Sequence, residues 1–301
     1  GMWEQDWTLP EPTADSYSED LLNNAKEFSD TVMVVITRVG GEGADLPTDV
    51  SQVTYTDNSD EYKDFEDGEH YLQLSQTERN MLDLVCQNFD NVVVVYNGAN
   101  AMELGFIDEY EQIKGALWCP GTGQSGFNAL GRILSGEVNP SGKTSDTFVA
   151  DLTATPTANN FGSFFYDNTE EFNMQQAGFT GEEETVAPSF VNYVEGIYVG
   201  YRFWETAAEE GLINYDESVV YPFGYGLSYT TFTQEMGEMT ESDGTISFDV
   251  TVTNTGDVAG KDVVEVYYNP PYTNGGIEKA AANLVAFEKT GMLEPGDSET
   301  V

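Results

Sequence analysis

Three short apolar runs, each followed by a turn that contains glycine, constrain the fold of this chain more than any other feature. They are TVMVVIT at 31–37, NVVVVY at 91–96 and GALWC at 115–119. Apolar runs of this length are typical of strands that are buried on both faces. Because helical patterns alternate with the three runs, the sequence predicts an α/β fold whose open, mostly parallel sheet is sandwiched by helices.

Helix signals occupy the stretches between the predicted strands. Residues 19–29 predict a short helix just before the first strand. Ser75 and Glu78 have the spacing of a capping box, and apolar residues with helical spacing follow them, so a second helix is expected there. Further patterns indicate helices at 101–110 and 127–136.

The first predicted strand ends in an acidic, glycine-rich loop, GGEGAD at 40–45. In an open α/β sheet, ligands bind at the edge where parallel strands end. The glycines on both sides of Glu42 allow a sharp turn and a close approach of the backbone to a ligand. By itself the pattern fits an acidic surface loop equally well, so other parts of the chain have to decide between the two interpretations.

The charge of the chain argues against two classes of partner. Its 301 residues include 53 Asp and Glu but only 11 Lys and Arg, which gives a formal net charge of −42. Nucleic acids and anionic membranes are bound through Lys and Arg, so neither partner is expected. A solvated acidic surface is the simplest explanation of the excess of acidic residues. No apolar run of the sequence approaches the length of a membrane span.

The sequence offers few residues for metal or nucleophilic chemistry. Its single histidine, His70, excludes a His-rich zinc site and leaves a Ser-His-Asp arrangement dependent on one residue of an acidic loop. The two cysteines, Cys86 and Cys119, have apolar neighbours and are expected to be buried thiols. The first residues carry no visible signal peptide, so a cytoplasmic and a secreted bacterial protein both remain open.

Two further motifs resemble ligand-binding sites but also have a purely structural interpretation. GTGQSG at 121–126 matches the G-x-G-x-x-G pattern of dinucleotide sites, but it follows the third strand and not the first, and a tight strand-to-helix turn is the favoured interpretation. The acids of 57–69 lack the spacing of a calcium loop and are expected to form an acidic surface loop. We therefore expect no cofactor and no metal.

The pattern changes near residue 232. From 237 onward, apolar and polar residues alternate in ISFDVTVTNTG and KDVVEVYYNPP, which predicts a hairpin around the turn at 254–260 in a small β-sandwich. This gives an N-terminal arm at 1–19, an α/β domain at 20–232 and an incomplete β-sandwich at 233–301. The segment YPFGYGLSYTTF at the junction is expected to be architectural, with its aromatic rings buried.

Several stretches, taken in order, resemble the C-terminal half of the family 3 glycoside hydrolases. The tail, with NTG at 254–256 and LEPGDS at 293–298, looks like the fibronectin type III-like domain of that family. The stretches that carry the resemblance are Arg38 with the Gly41-Glu42-Gly43 loop and Asp45, NVVVVYNGAN at 91–100, the run from 130 to NPSGK at 139–143, YVEGIYVGYRFWE at 193–205 and YPFGYGLSYTTF at 221–232.

The resemblance implies a retaining β-glucosidase, with β-xylosidases as related members. In such enzymes a barrel carries an Asp nucleophile and the α/β domain contributes the acid/base Glu, which in many members lies in the Gly-Glu-Gly loop, here Glu42. Other members place it after the third strand, where this chain has Gln124 and Ser125. The resemblance suggests Arg38 and Asp45 as substrate-binding or loop-positioning residues, and an internal ion pair is an equally good interpretation of them.

The barrel has no counterpart in these 301 residues, so we expect it to precede or follow them in the same enzyme. The chain alone is then expected to be inactive and to act on its β-glucoside substrate only together with the barrel. A non-catalytic carbohydrate-binding or structural module with the same fold is the main alternative. A β-xylosidase and a nucleotide-binding protein are further ones.

Overall fold

The computed structural model describes residues 5–41, 45–162, 164–178 and 180–301. In these ranges the α-helices are α1 (Glu19–Phe28), α2 (Gln76–Asn88), α3 (Phe127–Leu134), α4 (Pro156–Asn160), α5 (Tyr201–Glu209) and α6 (Tyr215–Ser218). The strands are β1 (Thr31–Thr37), β2 (Asn91–Asn97), β3 (Ile113–Trp118), β4 (Phe148–Val149), β5 (Phe164–Phe165), β6 (Met174–Ala177), β7 (Glu183–Val186), β8 (Ser189–Phe190), β9 (Val219–Tyr221), β10 (Phe232–Met236), β11 (Thr240–Ser242), β12 (Thr245–Ser247), β13 (Val250–Asn254), β14 (Val263–Tyr268), β15 (Asn283–Lys289) and β16 (Ser298–Thr300). None of the described helices is long and apolar enough to cross a membrane.

The three predicted strands form one parallel sheet in the order β1-β2-β3, which confirms the predicted α/β class. β1 and β2 pair without a shift, from Thr31 opposite Asn91 to Thr37 opposite Asn97. The pairing of β2 with β3 slips by one residue between Val92 and Val93. All three strands therefore end at the same edge of the sheet.

One face of the sheet carries the main core. The capping box predicted for α2 is confirmed, because Ser75 Oγ accepts from the Glu78 N–H at 3.1 Å and Glu78 Oε2 accepts from the Ser75 N–H at 2.9 Å. The apolar side of α2, with Leu82 and Cys86, packs against the sheet. The residues that form the core between α2, the sheet and the segment after β2 include Val34, Ile36, Leu82, Cys86, Phe89, Val92, Val94, Tyr96, Met102 and Phe106.

The prediction that the first strand is buried on both faces is wrong. Val34 and Ile36 are buried, but Met33 and Val35 on the opposite face are 48% and 39% exposed. β1 is an edge strand of the described sheet, and the described residues cover only one of its faces. The central strand β2 matches the prediction better, since successive residues 94, 95 and 96 are buried.

The helix predicted at 101–110 is also wrong. Met102 and Leu104 are buried while residues 101 and 103 are less so, which is the period of an extended chain and not of a helix. Only a short 3-10 turn follows, at Gly105–Glu109. The helices predicted at 19–29 and 127–136 are present as α1 and α3.

The C-terminal strands form an antiparallel β-sandwich. β13 pairs with β10 and β16, and β14 pairs with β15. Val252 and Val264 meet in one core from the two sheets. The predicted hairpin is therefore wrong, because the turn at 254–260 crosses between the sheets. The buried amide of Asn254 fixes this crossing by donating to the Val258 and Leu293 carbonyls, both at 2.9 Å.

The junction is held by NPSGKT at 139–144, which lies against residues 222–229. Asn139 Oδ1 accepts from the Tyr229 N–H at 2.8 Å, and its Nδ2 donates to the Ala259 carbonyl at 3.1 Å. Thr144 Oγ1 donates to the Pro222 carbonyl at 2.6 Å. The segment is thus architectural through its backbone. The expected burial of its aromatic rings is wrong for two residues, since Tyr225 and Tyr229 are exposed while Tyr221 and Phe223 are half-buried.

Candidate active site at the carboxyl edge of the parallel sheet

The loop that follows β1 contains the predicted acid/base. Glu42 lies outside the described residues, together with 43 and 44. The described residues on either side, Gly41 and Asp45, are exposed, and so is Val39. The loop therefore leaves the sheet at the edge where β2 and β3 also end, and its described part faces solvent.

Arg38, the last residue before this loop, is buried in an internal ion pair. Its Nη1 and Nη2 donate to the two carboxylate oxygens of Glu78, both at 2.7 Å. The remaining N–H groups donate to backbone carbonyls: Nε to Tyr71 at 2.6 Å, Nη1 to Thr37 at 2.7 Å and Nη2 to Gln73 at 2.6 Å. A guanidinium has five N–H donors, so none is left for a sugar hydroxyl.

The ion pair ties the start of the loop to the start of α2. Burial by itself would lower the pKa of Arg38, but the neighbouring Glu78 carboxylate and its hydrogen bonds raise that pKa above its ordinary value. Glu78 also closes the capping box with Ser75. The same carboxylate therefore fixes both the helix and the last residue before the loop, whereas Asp45, the other suggested partner of Arg38, is exposed.

The turn after β2 packs beside this loop, and the end of β3 is bonded to the end of β2. A Cβ on Gly40 would lie 3.1 Å from Leu46 and 3.6 Å from the side-chain nitrogen of Asn100, so the loop runs next to the turn after β2. Asn97 Nδ2 donates to the Cys119 carbonyl at 2.7 Å, and Trp118 Nε1 donates to the Gly98 carbonyl at 2.8 Å. The ends of the three strands thus form one connected surface.

The single histidine has a structural role. His70 Nδ1 accepts from the Leu72 N–H at 3.1 Å, so the ring proton is on Nε2, which lies 2.9 Å from Glu103 Oε1. The same Glu103 oxygen accepts from the Leu152 N–H at 2.8 Å. These contacts join the segment before α2 to the segment after β2. No spacing pattern pairs His70 with Glu103, so sequence analysis alone could not find this contact.

The two other motifs have local structural explanations. In the 121–126 turn, the Gly126 N–H donates to the Thr122 carbonyl at 3.0 Å, and a Cβ on Gly126 would lie 2.4 Å from that carbonyl oxygen. The third glycine is thus required by the tight turn into α3. In the acidic loop, buried Asp64 accepts from the Asn58 and Thr77 N–H groups at 2.7 and 3.1 Å. No group of three His, Cys, Asp or Glu side chains in the described ranges could hold a metal ion.

The chain is similar to known β-glucosidases over nearly its whole length. It is 35% identical to beta-glucosidase A of Butyrivibrio fibrisolvens over 307 residues, which cover 94% of this chain and 33% of that protein. It is 31% identical to a beta-glucosidase of Ruminococcus albus over 301 residues, which cover 100% of this chain and 26% of that protein. The chain therefore spans a third or less of the length of these relatives.

Solved structures show the same likeness. A beta-glucosidase from Paenibacillus barengoltzii has a TM-score of 0.71 at 31% identity, with 98% of this chain and 27% of that chain covered. Beta-glucosidase 3B from Thermotoga neapolitana, in complex with glycerol, has a TM-score of 0.71 at 29% identity, with 97% and 34% covered. A family model described as the glycosyl hydrolase family 3 C-terminal domain matches residues 14–201. The chain therefore belongs to the family of glycosyl hydrolase family 3 C-terminal domains.

Proposed function

We propose that this chain is the part of a retaining β-glucosidase that supplies the general acid/base, Glu42, to an active site completed by a barrel domain of the same enzyme. Its relatives are beta-glucosidases, and it spans a third or less of the length of the first two. The observation that carries the proposal is the way in which the 39–45 loop is anchored at its start and exposed in its described part. Arg38 fixes the loop at the sheet edge, while the described residues next to Glu42 face outward.

The proposed reaction needs two carboxyl groups about 5 Å apart. Glu42, protonated, gives its proton to the glycosidic oxygen while a barrel Asp attacks the anomeric carbon and the aglycone leaves. Glu42, now ionised, takes a proton from water, whose oxygen attacks the glycosyl-enzyme and releases glucose. Asp45, exposed in the same loop, is proposed to bind sugar hydroxyls, and Arg38 is proposed to position the loop through its pair with Glu78.

The test replaces Glu42 with Ala in the complete enzyme. Turnover of cellobiose should fall roughly 100 to 10,000-fold, because its leaving group needs protonation. Aryl glucosides with good leaving groups should lose less in the glycosylation step, and azide should restore turnover by replacing the activated water. The isolated 301-residue chain should hydrolyse neither substrate at an enzymatic rate.

Glu66→Ala is the matched control, since its side chain is 75% exposed in the neighbouring acidic loop. This variant should keep the parental rate. A Glu42→Ala enzyme that cleaves cellobiose as fast as its parent would sink the proposal and would favour a binding role for this chain.

A further inference from the structure

The segment 189–199, which begins with β8 and ends before α5, presents apolar side chains to solvent; we name it the 189–199 ribbon. Tyr193 is 91% exposed, although a tyrosine ring gains by burial. The other members that are nearly half exposed or more are Val191, Val194, Ile197 and Val199. Single exposed apolar residues need no explanation, but a contiguous group marks a contact surface.

The ribbon continues into an aromatic cluster on the paired strand β5 and the residue after it. β8 pairs with β5, which places the Phe190 ring 5.8 Å from the Phe164 ring and 4.7 Å from the Tyr166 ring between centroids. Phe165 and Tyr166 are both more than half exposed. The exposed apolar surface therefore extends over two segments that touch each other.

The ribbon is held in place by polar contacts. Thr169 Oγ1 donates to the Pro188 carbonyl at 2.9 Å, and Thr157 Oγ1 donates to Glu195 Oε1 at 2.7 Å. Tyr198 donates to Glu278 of the β-sandwich. A segment fixed in this way cannot bury its apolar side chains in its own core, so their burial requires another surface.

Charge decides between two possible occupants of this surface. The exposed residues that flank the aromatic cluster in sequence include Asp167, Glu170, Glu171, Glu183 and Glu184. A second copy of the same chain would bring the same negative rim, which like-charge repulsion opposes. A partner surface with an apolar centre and a basic rim fits instead.

We propose that the 189–199 ribbon is the surface on which the remaining part of the complete enzyme, the barrel of the proposed function, docks. The relatives have two thirds or more of their length outside the region matched by this chain, which is ample material for such a partner. The ribbon also connects to the candidate site. Its Glu195 contacts Thr157 of α4, and the preceding Leu152 contacts Glu103, which follows β2.

The inference rests on the proposed function, but its test reads side-chain access and not activity. Tyr193 of the complete enzyme should react with tetranitromethane about tenfold more slowly than the same residue in the urea-unfolded enzyme, because interface cores exclude solvent. Tyr268, which is 51% exposed on β14, is the internal reference and should show little protection. An unprotected Tyr193 in a folded, active enzyme would overturn the inference.

Two further measurements distinguish docking of the barrel from pairing with a second copy, and from a failure of the proposed function alone. Protection of Tyr193 that disappears on dilution to the monomer would assign the surface to a second copy and overturn the inference. A Glu42→Ala enzyme should show the same Tyr193 protection, so an active Glu42→Ala enzyme with a protected Tyr193 contradicts only the proposed function.

A pair of double variants tests the same surface through stability. Tyr193→Ser with Ile197→Ser should lower the thermal midpoint of the complete enzyme and expose the 189–199 ribbon to proteolysis. Ile277→Ser with Phe287→Ser, at residues 82% and 71% exposed, is the matched control and should change neither. Equal effects of the two double variants would contradict a specific role of the ribbon.

Discussion

Glu78 accepts hydrogen bonds from the guanidinium of Arg38 and from the backbone N–H of Ser75, and its side chain is 1% exposed. The variant Glu78→Gln keeps the shape of the side chain but leaves the guanidinium buried without a counter-charge. We expect the free energy of unfolding of the chain to fall by about 3–5 kcal/mol, as it does when one partner of a buried pair is removed. Urea denaturation measures it.

The ion pair between Arg79 and Glu109 provides the control, because its side chains are 40% and 55% exposed. Glu109→Gln should cost less than about 1 kcal/mol, since solvent screens an exposed pair. A loss for Glu78→Gln no larger than that for Glu109→Gln would show that the buried pair does not hold the loop.

Tyr96 carries a buried hydroxyl that has no hydrogen-bond partner in the described part of the chain. Leaving such a group unpaired costs about 1–3 kcal/mol, so Tyr96→Phe should raise the free energy of unfolding. Tyr110 is the contrasting residue, since its hydroxyl donates to Asp83 at 2.7 Å, and Tyr110→Phe should lower stability. A loss of stability in Tyr96→Phe would mean that its hydroxyl is satisfied.

The same residue predicts an alkaline transition. Burial raises the pKa of Tyr96 from 10.0 to about 12. Between these values the unfolded chain releases a proton that the folded chain retains, so the ionisation of Tyr96 leaves the free energy of unfolding unchanged below pH 10 and lowers it as the pH rises towards 12. Urea midpoints measured from pH 8 upward should therefore fall less steeply in Tyr96→Phe than in the parent, and parallel curves would contradict the shift.

The sequence predicted local pairs and missed distant ones. Ser75 and Glu78 are three residues apart and their capping box could be recognised from spacing alone. Glu78 is 40 residues from Arg38, and nothing in the sequence joins the two. Their contact depends on how α2 packs against β1, which is set by the whole core.

At the level of helices and strands, the sequence predicted the fold correctly where a residue pattern was compatible with only one arrangement of strands. The parallel order of β1, β2 and β3 was predicted from apolar runs with helical patterns between them, and it holds although only the connection from β1 to β2 contains an α-helix. The turn after β13 was assigned wrongly because alternating strands on either side of a turn fit both a hairpin and a crossing between sheets. The buried amide of Asn254 selects the crossing, and the sequence does not show that burial.

The close packing at the junction can be tested by replacing a glycine. A Cβ on Gly226 would lie 2.1 Å from the Gly142 carbonyl oxygen, so Gly226→Ala must push 139–144 away from 222–229. We expect a loss of about 1–3 kcal/mol, as in other overpacked sites. Gly131→Ala in α3, where no atom lies within 4 Å of the added carbon, should instead stabilise by about 0.5–1 kcal/mol. Thermal unfolding of both variants distinguishes steric conflict from backbone entropy, and a neutral Gly226→Ala would show that the junction yields easily.

For the whole molecule, the net charge of −42 predicts a dependence on salt. Self-repulsion destabilises a compact, highly charged chain, and salt screens it over a distance of about 10 Å at 0.1 M. Adding sodium chloride at pH 7 should therefore raise the thermal midpoint. The rise should shrink near pH 4.5, since the isoelectric point is about 4.1. An equal rise at both pH values would point to a cause other than charge.

The family could be predicted because the order of its motifs along the chain can be recognised without knowing any tertiary contact. The exposed face of β1 could not be predicted in this way. An apolar strand has the same sequence whether or not its second face is covered. Met33 and Val35 show that this chain covers one face only with its described residues.

The packing of 139–144 against 222–229 has a mechanical consequence. Asn139 bonds at once to Tyr229 and to Ala259, and Lys289 of the β-sandwich reaches back to the Ser141 carbonyl at 2.9 Å. A junction that is hydrogen-bonded to both of its neighbouring parts is expected to be rigid. The sheet and the β-sandwich should therefore move together as one rigid unit, so any hinge of the complete enzyme that we propose should lie outside 139–144 and 222–229.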